Sequence, residues 1–417
     1  MKNKLNIDVA ILGARMHYAV PKILAKNNLL HKMYTDFFIG NKTLFLKVIS
    51  MINSKSKLFK SAQGRSINGI NNNKIVSFDL LGLYKKYLST KLNNASEHAN
   101  LIIMISKKFN QKMSKYNFNN VNAIYGFNVS SMEIFQFVKD KNIICILEQM
   151  SSPKVLEQNL LKLESKKYQH IDSSIFIDDN HPYIIREQEE WNLADIIIAP
   201  SQFVLNGLLA MGVNQDKCHL VPYGVSTNDF KFLDRTRFNP FIELNILFVG
   251  KVGIHKGAHH LLDACKDVQN INLKLAGAIN FTEEYTSQFG ENIEFLGMVP
   301  RIEIMELYSW ADLFVFPSLC EGSATVVYEA IANGLPVITT DSSGSIIENN
   351  INGCIVSSAN SQEIYNAIEK IYTDTTYYNK LVQGVKNSLS HISLENYERN
   401  LLQVINGIQK DKNEKNY

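Results

Sequence analysis

The stretch DLFVFPSLCEGSATVVYEAIANGLPVITT, residues Asp312–Thr340, carries the most information about the fold. Its apolar run Asp312–Pro317 predicts a strand, and the pattern that follows predicts a helix from about residue 323 to 333. Gly334 suits the end of that helix, and Pro336–Thr340 is typical of a second strand. This order predicts a parallel β–α–β unit whose helix begins at the carboxyl end of a strand.

The same alternation of short apolar runs and amphipathic segments extends over most of the 417 residues. This length is too great for one compact core and suits two domains of about 200 residues each. Other strands are predicted at 8–13, 123–126, 143–148, 196–200, 244–250, 271–277 and 293–296, and helices at 131–139, 181–193 and 201–210. The predicted fold class is therefore α/β, with two Rossmann-like, doubly wound parallel sheets that face a cleft.

The domain boundary is predicted near residue 222. Residues 222–240 have little periodicity and are typical of a linker. We therefore expect an N-terminal domain at residues 1–222 and a C-terminal domain at residues 223–390. Residues 391–417 should form a helix that packs back on the N-terminal domain, followed by a polar tail.

The composition excludes several classes of protein. The net charge of +3 and the 20% charged residues are ordinary for a globular protein and do not predict a nucleic-acid partner. The five cysteines are scattered without a Cys-x-x-Cys pair, which argues against a disulfide framework or a cysteine-based zinc site. Apolar runs shorter than ~18 residues and an N-terminus without a cleavage site predict neither a membrane span nor a signal peptide. We expect a cytosolic protein.

Residues 41–120 are strongly basic. They contain fourteen Lys and Arg residues against only Asp79 and Glu97, and they are expected to be largely helical. This excess of positive charge suits an anionic membrane surface or a phosphorylated acceptor. A solvated, lysine-rich surface explains it equally well, so the sequence leaves both interpretations open.

The segment EGSATVVYE, Glu321–Glu329, has one acid before the predicted helix and one about two turns along it. The helix start should leave four backbone N–H groups free to bind a phosphate, those of Ser323, Ala324, Thr325 and Val326. The two acids could then reach hydroxyl groups at opposite ends of a bound nucleotide-sugar. Read alone, the pair is equally well explained as two surface charges.

A second charged segment, GKVGIHKG, follows the predicted strand at residues 244–250. It has Lys251 and Lys256 on either side of a glycine-containing turn that opens a helix. Two cations there would neutralise a diphosphate and stabilise it as a leaving group. Ordinary surface lysines are the alternative. Opposed charges at two strand–helix junctions of one predicted sheet favour a binding site.

From about residue 185 to 390 the sequence resembles the family 4 glycosyltransferases of the GT-B fold. Four segments in the family's order carry the resemblance: VPYGVSTNDF (Val221–Phe230), LFVGKVGIHKGAHHLLDA (Leu247–Ala264), FLGMVPRIEIMELYSWADLFVFPS (Phe295–Ser318) and EGSATVVYEAIANGLPVITTD (Glu321–Asp341). The resemblance implies transfer of a sugar, with retained configuration, from a nucleoside-diphosphate sugar to a hydroxyl of a glycan or lipid-linked acceptor. It also implies a role in bacterial surface polysaccharide synthesis, and the basic region 41–120 suits a lipid-linked acceptor at the inner face of the plasma membrane.

The resemblance assigns roles to the charged residues by position. Glu321 matches the acid that contacts the donor sugar, and Glu329 matches the acid that holds the ribose. Lys251 and Lys256 match an Arg and a Lys that bind the diphosphate, and Lys251 keeps the charge but lacks the two-pronged geometry of Arg. Gly-Ser-Ala stands at 322–324 where the family often has Gly-Phe-Gly. These departures leave the donor base and sugar open.

In the N-terminal half, Gly13 ends the first strand where the family has a glycine-rich loop near the diphosphate, so Arg15 and His17 should lie near the cleft. Glu148 stands where many relatives carry a His that faces the sugar. We therefore expect Glu148 to be a second catalytic candidate, and a buried or capping Glu is the alternative. The resemblance implies no cofactor and no metal, so the pair Asp178–Asp179 is not expected to bind one.

The family has no clear protein nucleophile, so the resemblance implies front-face attack in which the leaving phosphate accepts the acceptor's proton. Domain closure would exclude water from that reaction. Two other functions remain, an epimerase of the same fold that acts on the nucleotide-sugar itself, and a non-catalytic nucleotide-sugar binder. The complete set of charged positions favours the transferase.

Overall fold

The computed structural model of the protein describes residues 5–40, 65, 67–92, 94–168, 171, 177–237, 239–266 and 268–414, with side chains through residue 408. Within these residues thirteen strands form two separate sheets, one of seven strands and one of six. All neighbouring strands in both sheets run parallel. The predicted α/β class with two doubly wound parallel sheets is confirmed.

The N-terminal sheet has the strand order β3-β2-β1-β4-β5-β6-β7. Its strands are β1 (Ile7–Ile11), β2 (Leu30–Thr35), β3 (Ile75–Ser77), β4 (Ala123–Phe127), β5 (Ile144–Glu148), β6 (Ile196–Ala199) and β7 (Cys218–Leu220). All five residues of β1 are buried, including Asp8. The carboxylate of Asp8 lies 2.7 Å from Nδ1 of His31 on β2, which satisfies part of this buried polar group.

The C-terminal sheet has the order β10-β9-β8-β11-β12-β13. Its strands are β8 (Leu244–Val249), β9 (Ile271–Ala276), β10 (Ile293–Gly297), β11 (Leu313–Phe316), β12 (Val337–Thr340) and β13 (Gly353–Val356). In each sheet the strand order reverses once, between β1 and β4 and between β8 and β11. Ligands of such sheets bind outside the carboxyl ends of the strands at this switch point.

Helices flank both sheets. The described residues form fourteen α-helices: Ala19–Lys26, Asp79–Ser89, Ala95–Met113, Met132–Val138, Lys154–Lys167, Pro182–Leu193, Gln202–Ala210, Ala258–Cys265, Glu283–Thr286, Arg301–Trp310, Thr325–Ala332, Ser361–Thr373, Thr375–Ser388 and Leu394–Glu414. Ser201 caps its helix as the sequence predicted, because its Oγ accepts the Val204 N–H at 3.2 Å. The helices predicted at 131–139, 181–193 and 201–210 are confirmed with small shifts at their ends.

The last helix, Leu394–Glu414, lies against the N-terminal domain although it follows the C-terminal one. Its buried residues Tyr397, Leu401 and Ile405 belong to the hydrophobic core that includes β1 and β4. The ring of Tyr397 packs edge-on against Tyr223 of the linker, with centroids 5.9 Å apart. The chain therefore crosses between the two domains twice, once in the linker and once in this helix.

Two helices, Asp79–Ser89 and Ala95–Met113, account for much of the described part of the basic region 41–120. Residues 41–64 of that region lie outside the described residues. None of the helices that the structure describes combines the length and the apolar character needed to cross a bilayer.

Candidate functional site

A cleft of about 560 Å³ lies between the two domains. The loop after β1 contributes His17, and the helix Ala19–Lys26 contributes Lys22. The linker contributes Asp229, and the helix Thr325–Ala332 contributes Thr325 and Glu329. The switch points of both sheets therefore meet near this cleft, as expected for ligand sites of doubly wound sheets.

The helix at this cleft begins at Thr325, with Ala324 as its N-cap, rather than near Ser323 as the sequence suggested. The expectation of a free N–H at Ala324 is wrong, because this group donates to the carbonyl of Ser343 at 3.0 Å. The N–H groups of Ser323, Thr325 and Val326 have no hydrogen-bond acceptor among the described residues. The helix start thus offers three backbone donors to an anion instead of four.

Glu321 and Lys256 form an ion pair that joins the two predicted strand–helix junctions. Lys256 lies in the short turn after β8, and Glu321 follows β11, the neighbour of β8 in the sheet. The side chains are 17% and 21% exposed, respectively, so solvent screens this pair less than a pair on the open surface. An anion that enters here would meet a positive charge already held in position.

The second acid of the motif, Glu329, is paired as well. Both of its carboxylate oxygens lie 2.9 Å from Nη1 of Arg301, and the hydroxyl of Tyr308 donates to Oε2 at 3.1 Å. Arg301 lines the same cleft as Glu329 but was not predicted as a site residue. Arg301 lies inside the segment 295–318 that resembles the family, but a single arginine after Pro300 belongs to no motif whose spacing would predict a site residue.

Lys251 is exposed and faces a different cavity between the domains, of about 400 Å³. Lys154 of the N-terminal domain and His255 line this cavity too. Burial, together with the positive charges of Lys256, Lys154 and Lys251, lowers the pKa of His255 to about 3. Three lysines from both domains therefore surround one neutral imidazole. Lys154 was missed by sequence reasoning because nothing in the sequence brings it near Lys251.

Gly322 lies at a close contact between the two domains. A Cβ atom on Gly322 would lie only 1.7 Å from the carbonyl oxygen of Met150, in the loop after β5. The carbonyl of Gly322 also accepts a hydrogen bond from Oγ of Ser201 at 2.5 Å. The turn that carries Glu321 is thus held against two loops of the N-terminal domain, and only glycine fits there.

The loop after β1 has an unusual backbone. Gly13 has a φ of +91°, and three consecutive larger residues, Met16, His17 and Tyr18, have φ values of 43°, 50° and 61°. Such left-handed conformations are strained for residues other than glycine and tend to cluster at functional sites. The N–H of Gly13 donates to Asp36 Oδ1 at 3.0 Å, and Gly13 does not line the cleft, whereas His17 does.

Glu148 is 1% exposed and lines none of the cavities described above. Its two carboxylate oxygens accept hydrogen bonds from the hydroxyls of Tyr125, at 2.5 Å, and Tyr223, at 2.7 Å. Burial raises the pKa of its carboxyl group. This environment fits the alternative interpretation, a buried carboxyl that ties the linker residue Tyr223 to β5. Arg15 is half-buried and faces a cavity within the N-terminal domain.

The pair Asp178–Asp179 lies in the predicted turn. Asp178 Oδ1 accepts the N–H of Asn180 at 2.8 Å, and Asp179 forms an ion pair with Lys162. Both carboxylates therefore have protein partners of their own.

Residues 238–388 match the protein-family model described as glycosyl transferases group 1. This region of the chain is similar to that family. The match contains Lys251, Lys256, Glu321 and Glu329, so the paired charges lie within the group 1 region.

Curated relatives share the same region. A glycosyltransferase of Methanocaldococcus jannaschii that is described as uncharacterized is 30% identical over 157 residues, which cover 35% of this chain and 40% of that protein. The amylovoran biosynthesis glycosyltransferase AmsK of Erwinia amylovora is 24% identical over 187 residues, covering 41% of this chain and 46% of AmsK. The chain thus spans less than half the length of these relatives.

Solved structures extend the likeness to both domains. HepE from Anabaena, in complex with UDP-glucose, superposes with a TM-score of 0.59 at 15% identity, over 97% of this chain and 100% of HepE. The sucrose-phosphate synthase of Thermosynechococcus elongatus gives a TM-score of 0.61 at 16% identity, over 97% and 99% of the two chains. The group 1 region and the domain before it therefore form a complete GT-B fold.

Proposed function

We propose that the protein is a retaining glycosyltransferase that moves a sugar from a nucleoside-diphosphate sugar to a hydroxyl of a glycan or lipid-linked acceptor. The ion pair between Lys256 and Glu321, next to the helix start at Thr325, supports this proposal most strongly. The name of AmsK, which refers to amylovoran biosynthesis, supports a role in bacterial surface polysaccharide synthesis. UDP-glucose in the HepE complex supports a nucleotide-sugar donor.

The diphosphate of the donor would bind at the positive junctions of the C-terminal sheet. Lys256 would exchange its contact with Glu321 for a phosphate oxygen, and the N–H groups of Thr325 and Val326 would donate to the same anion. Lys251 and Lys154 add positive charge from either side of the domain interface. These cations offset the charge that develops on the leaving phosphate, so the reaction needs no metal ion or other cofactor.

The two acids would bind the ends of the donor. Once phosphate has taken its place at Lys256, Glu321 is free to accept hydrogen bonds from hydroxyls of the donor sugar. Glu329 is oriented by Arg301 and Tyr308 and lines the cleft, so it is suited to accept from the ribose hydroxyls. Each acid is thus held in position before the donor arrives, which reduces the entropy lost on binding.

Retention by two carboxylates would require a nucleophile close to the reacting carbon. The burial of Glu148 between two phenol groups supports the front-face route over a carboxylate nucleophile. On that route the acceptor oxygen attacks as the bond to the diphosphate breaks, and the leaving phosphate oxygen takes the acceptor's proton. The protein contributes orientation, charge stabilisation and the exclusion of water.

The acceptor would enter through the N-terminal domain. A cavity of about 500 Å³ lies there at the ends of β1, β4 and β5, and its lining includes Arg15, Lys85, Ser130 and Tyr183. Two cations and two hydroxyls suit a phosphorylated glycan or the head of a lipid-linked sugar.

The helix that carries Lys85 also supports a membrane-bound acceptor. Leu80, Leu83, Tyr84 and Tyr87 are exposed by 84%, 38%, 43% and 58% and repeat at the spacing of one helix face. Lysines surround this apolar stripe, and Lys91 contacts the ring of Tyr87 at 4.3 Å. An apolar stripe with a rim of lysines is typical of peripheral binding to anionic lipid. We therefore include the inner membrane surface among the partners.

Turnover assays with a panel of UDP-, GDP- and ADP-sugars test this proposal, each run with and without an extract of lipid-linked oligosaccharide. We expect sugar transfer that depends on the acceptor, and NMR of the product should show the anomeric configuration of the donor. Epimerisation of a donor without acceptor would support the epimerase instead. Nucleotide binding without any turnover would support the non-catalytic binder.

A further inference from the structure

Three buried side chains that the proposed reaction does not use meet at the domain interface. Glu164 belongs to the helix Lys154–Lys167 of the N-terminal domain, and His259 and His260 lie in the first turn of the helix Ala258–Cys265. One ligand atom from each lies within 4.8 Å of the other two, and the residues are 3%, 0% and 4% exposed. The adjacent histidines and the distant glutamate have no spacing signal in the sequence.

The geometry of this cluster is uneven. Nε2 of His260 lies 2.5 Å from Oε2 of Glu164, whereas Nε2 of His259 lies 3.6 Å from the same oxygen, beyond hydrogen-bond range. Neither ring nitrogen of His259 has a hydrogen-bond partner among the described residues, although the side chain is completely buried. A buried imidazole without a partner is unfavourable, so an additional group is expected to satisfy it.

Outer contacts orient the other two side chains towards the same point. Nζ of Lys167 lies 3.0 Å from Oε1 of Glu164, which leaves Oε2 directed at the histidines. Oγ of Ser361 lies 3.0 Å from Nδ1 of His260. Outer hydrogen bonds of this kind commonly hold the side chains that ligate a metal.

We propose that Glu164, His259 and His260 bind a divalent transition-metal ion of the Zn²⁺ class. Two imidazole nitrogens and one carboxylate oxygen are a common donor set for zinc, and a water molecule would complete a tetrahedral site. Ligation by Nε2 requires His260 to carry its ring proton on Nδ1, where Ser361 Oγ can accept it. The ion would replace the direct contact between His260 and Glu164.

The site has a structural role, because its ligands come from both domains and none of them lines the cleft for the donor. A bound ion would fasten the helix that begins at Lys154 to the helix that follows Lys256. Both lysines belong to the proposed diphosphate site, so the ion would fix the distance between its two halves. This inference does not rest on the proposed function, because metal binding can be measured without turnover.

Titration of the chelator-treated full-length protein with Zn²⁺, and with Co²⁺ as a spectroscopic probe, tests the site. We expect one ion per chain, a visible Co²⁺ spectrum typical of tetrahedral coordination, and a higher melting temperature with Zn²⁺. His259→Ala should weaken Zn²⁺ binding on the order of a hundredfold or more, since it removes a direct ligand. It should still fold, because the side chain of His259 makes no hydrogen bond among the described residues.

Glu164→Gln provides a second variant at the site, and His391→Ala, which removes an exposed histidine, is the matched control. We expect Glu164→Gln to lose binding and His391→Ala to retain it. Absence of Zn²⁺ binding by the wild-type protein would overturn the proposal. Equal binding by the folded His259→Ala variant would also overturn it, because the ion would then be held elsewhere.

Discussion

The ion pair of Lys256 and Glu321 holds two charges that the donor would separate. Each side chain is about four-fifths buried and has therefore lost much of its hydration. The opposite charge of its partner compensates for this loss. A diphosphate can take the place of Glu321 because it brings more negative charge and several acceptor oxygens. The proposed site is therefore already charged and oriented for its ligand, and we expect donor binding to depend most on Lys256.

We expect Lys256→Ala to weaken the binding of UDP by roughly tenfold to a hundredfold, since a hydrogen bond to a charged group contributes about 1.5–3 kcal/mol. Lys251→Ala should have a smaller effect, because Lys251 is exposed and more strongly screened. Isothermal titration calorimetry measures both, with Lys380→Ala, which removes an exposed lysine, as the control. Unchanged affinity in Lys256→Ala would contradict the proposed role of this residue.

His255 should make the stability of the folded protein depend on pH. Its pKa is about 3 in the folded protein, against 6.5 for an ordinary histidine. Between pH 3 and pH 6.5, the unfolded chain therefore binds a proton at His255 and the folded chain does not. The free energy of unfolding should therefore fall as the pH drops below about 6.5, by up to about 1.4 kcal/mol per pH unit. Urea unfolding at pH 7 and pH 5 measures this loss.

In His255→Gln the loss of stability between pH 7 and pH 5 should be smaller than in the wild-type protein. Other titrating groups contribute equally to both proteins, so the difference between the two isolates His255. An identical loss in both proteins would show that His255 is not held neutral by its surroundings.

Among the elements, the turn between β11 and the helix Thr325–Ala332 connects the two domains through Gly322. In Gly322→Ala the added Cβ must push Met150 away, because the two atoms would otherwise lie 1.7 Å apart. We expect the variant to transfer sugar roughly tenfold more slowly or worse, since Glu321 moves with the turn. Steady-state kinetics measure this effect. Gly407→Ala is the control, because its Cβ would meet nothing within 4 Å, and equal losses in both variants would refute the explanation.

The helix Asp79–Ser89 allows a separate test of membrane binding. We expect the double variant Leu80→Glu with Tyr87→Glu to bind vesicles of phosphatidylglycerol and phosphatidylcholine about tenfold more weakly, because it places negative charge on the apolar stripe. High salt should weaken binding of the wild-type protein. Flotation assays measure both effects.

Ile242→Glu is the matched control for this test, because Ile242 is 85% exposed but lies in the other domain. The proposed membrane binding would be contradicted if the double variant bound vesicles as well as the wild-type protein does. It would also be contradicted if the wild-type protein bound equally well without anionic lipid.

The elements also reveal what the sequence can predict. Strands with continuous apolar runs, such as β8 and β11, are predictable because both faces of a parallel sheet are buried. The structure adds β2, which contains His31 and Lys32, and β3, β7 and β13, which have only three or four residues each. Short or polar strands give no clear period, so neighbouring strands rather than local sequence decide them.

In the candidate site, too, the sequence predicts residues that lie in local motifs and misses those that only tertiary packing brings in. Lys251, Lys256, Glu321 and Glu329 could be identified because each follows a predictable strand within a recognisable motif. Lys154 and Arg301 could not, since tertiary packing alone brings them to the site. The free N–H of Ala324 was wrongly expected for the same reason, because the carbonyl that it meets belongs to a loop after another strand.

At the scale of the whole molecule, two sheets with the same reversal of strand order face each other across one cleft. The linker and the helix Leu394–Glu414 cross between the domains, and the turn at Gly322 closes against the N-terminal domain. The charges of the proposed donor site lie on the C-terminal sheet, and the proposed acceptor cavity lies at the carboxyl ends of the N-terminal strands. Transfer should therefore depend on a residue at the junction, and Glu321 is that residue.

The rate of sugar transfer by Glu321→Ala, measured with the donor that the wild-type protein uses, tests this claim most directly. Glu284→Ala, which removes an exposed acid of the same domain, is the control, and circular dichroism checks that both variants are folded. We predict that Glu321→Ala lowers kcat by about a hundredfold to a thousandfold, since it removes an oriented contact to the reacting sugar, while Glu284→Ala remains active. A folded Glu321→Ala protein that transfers sugar at the wild-type rate would contradict the account.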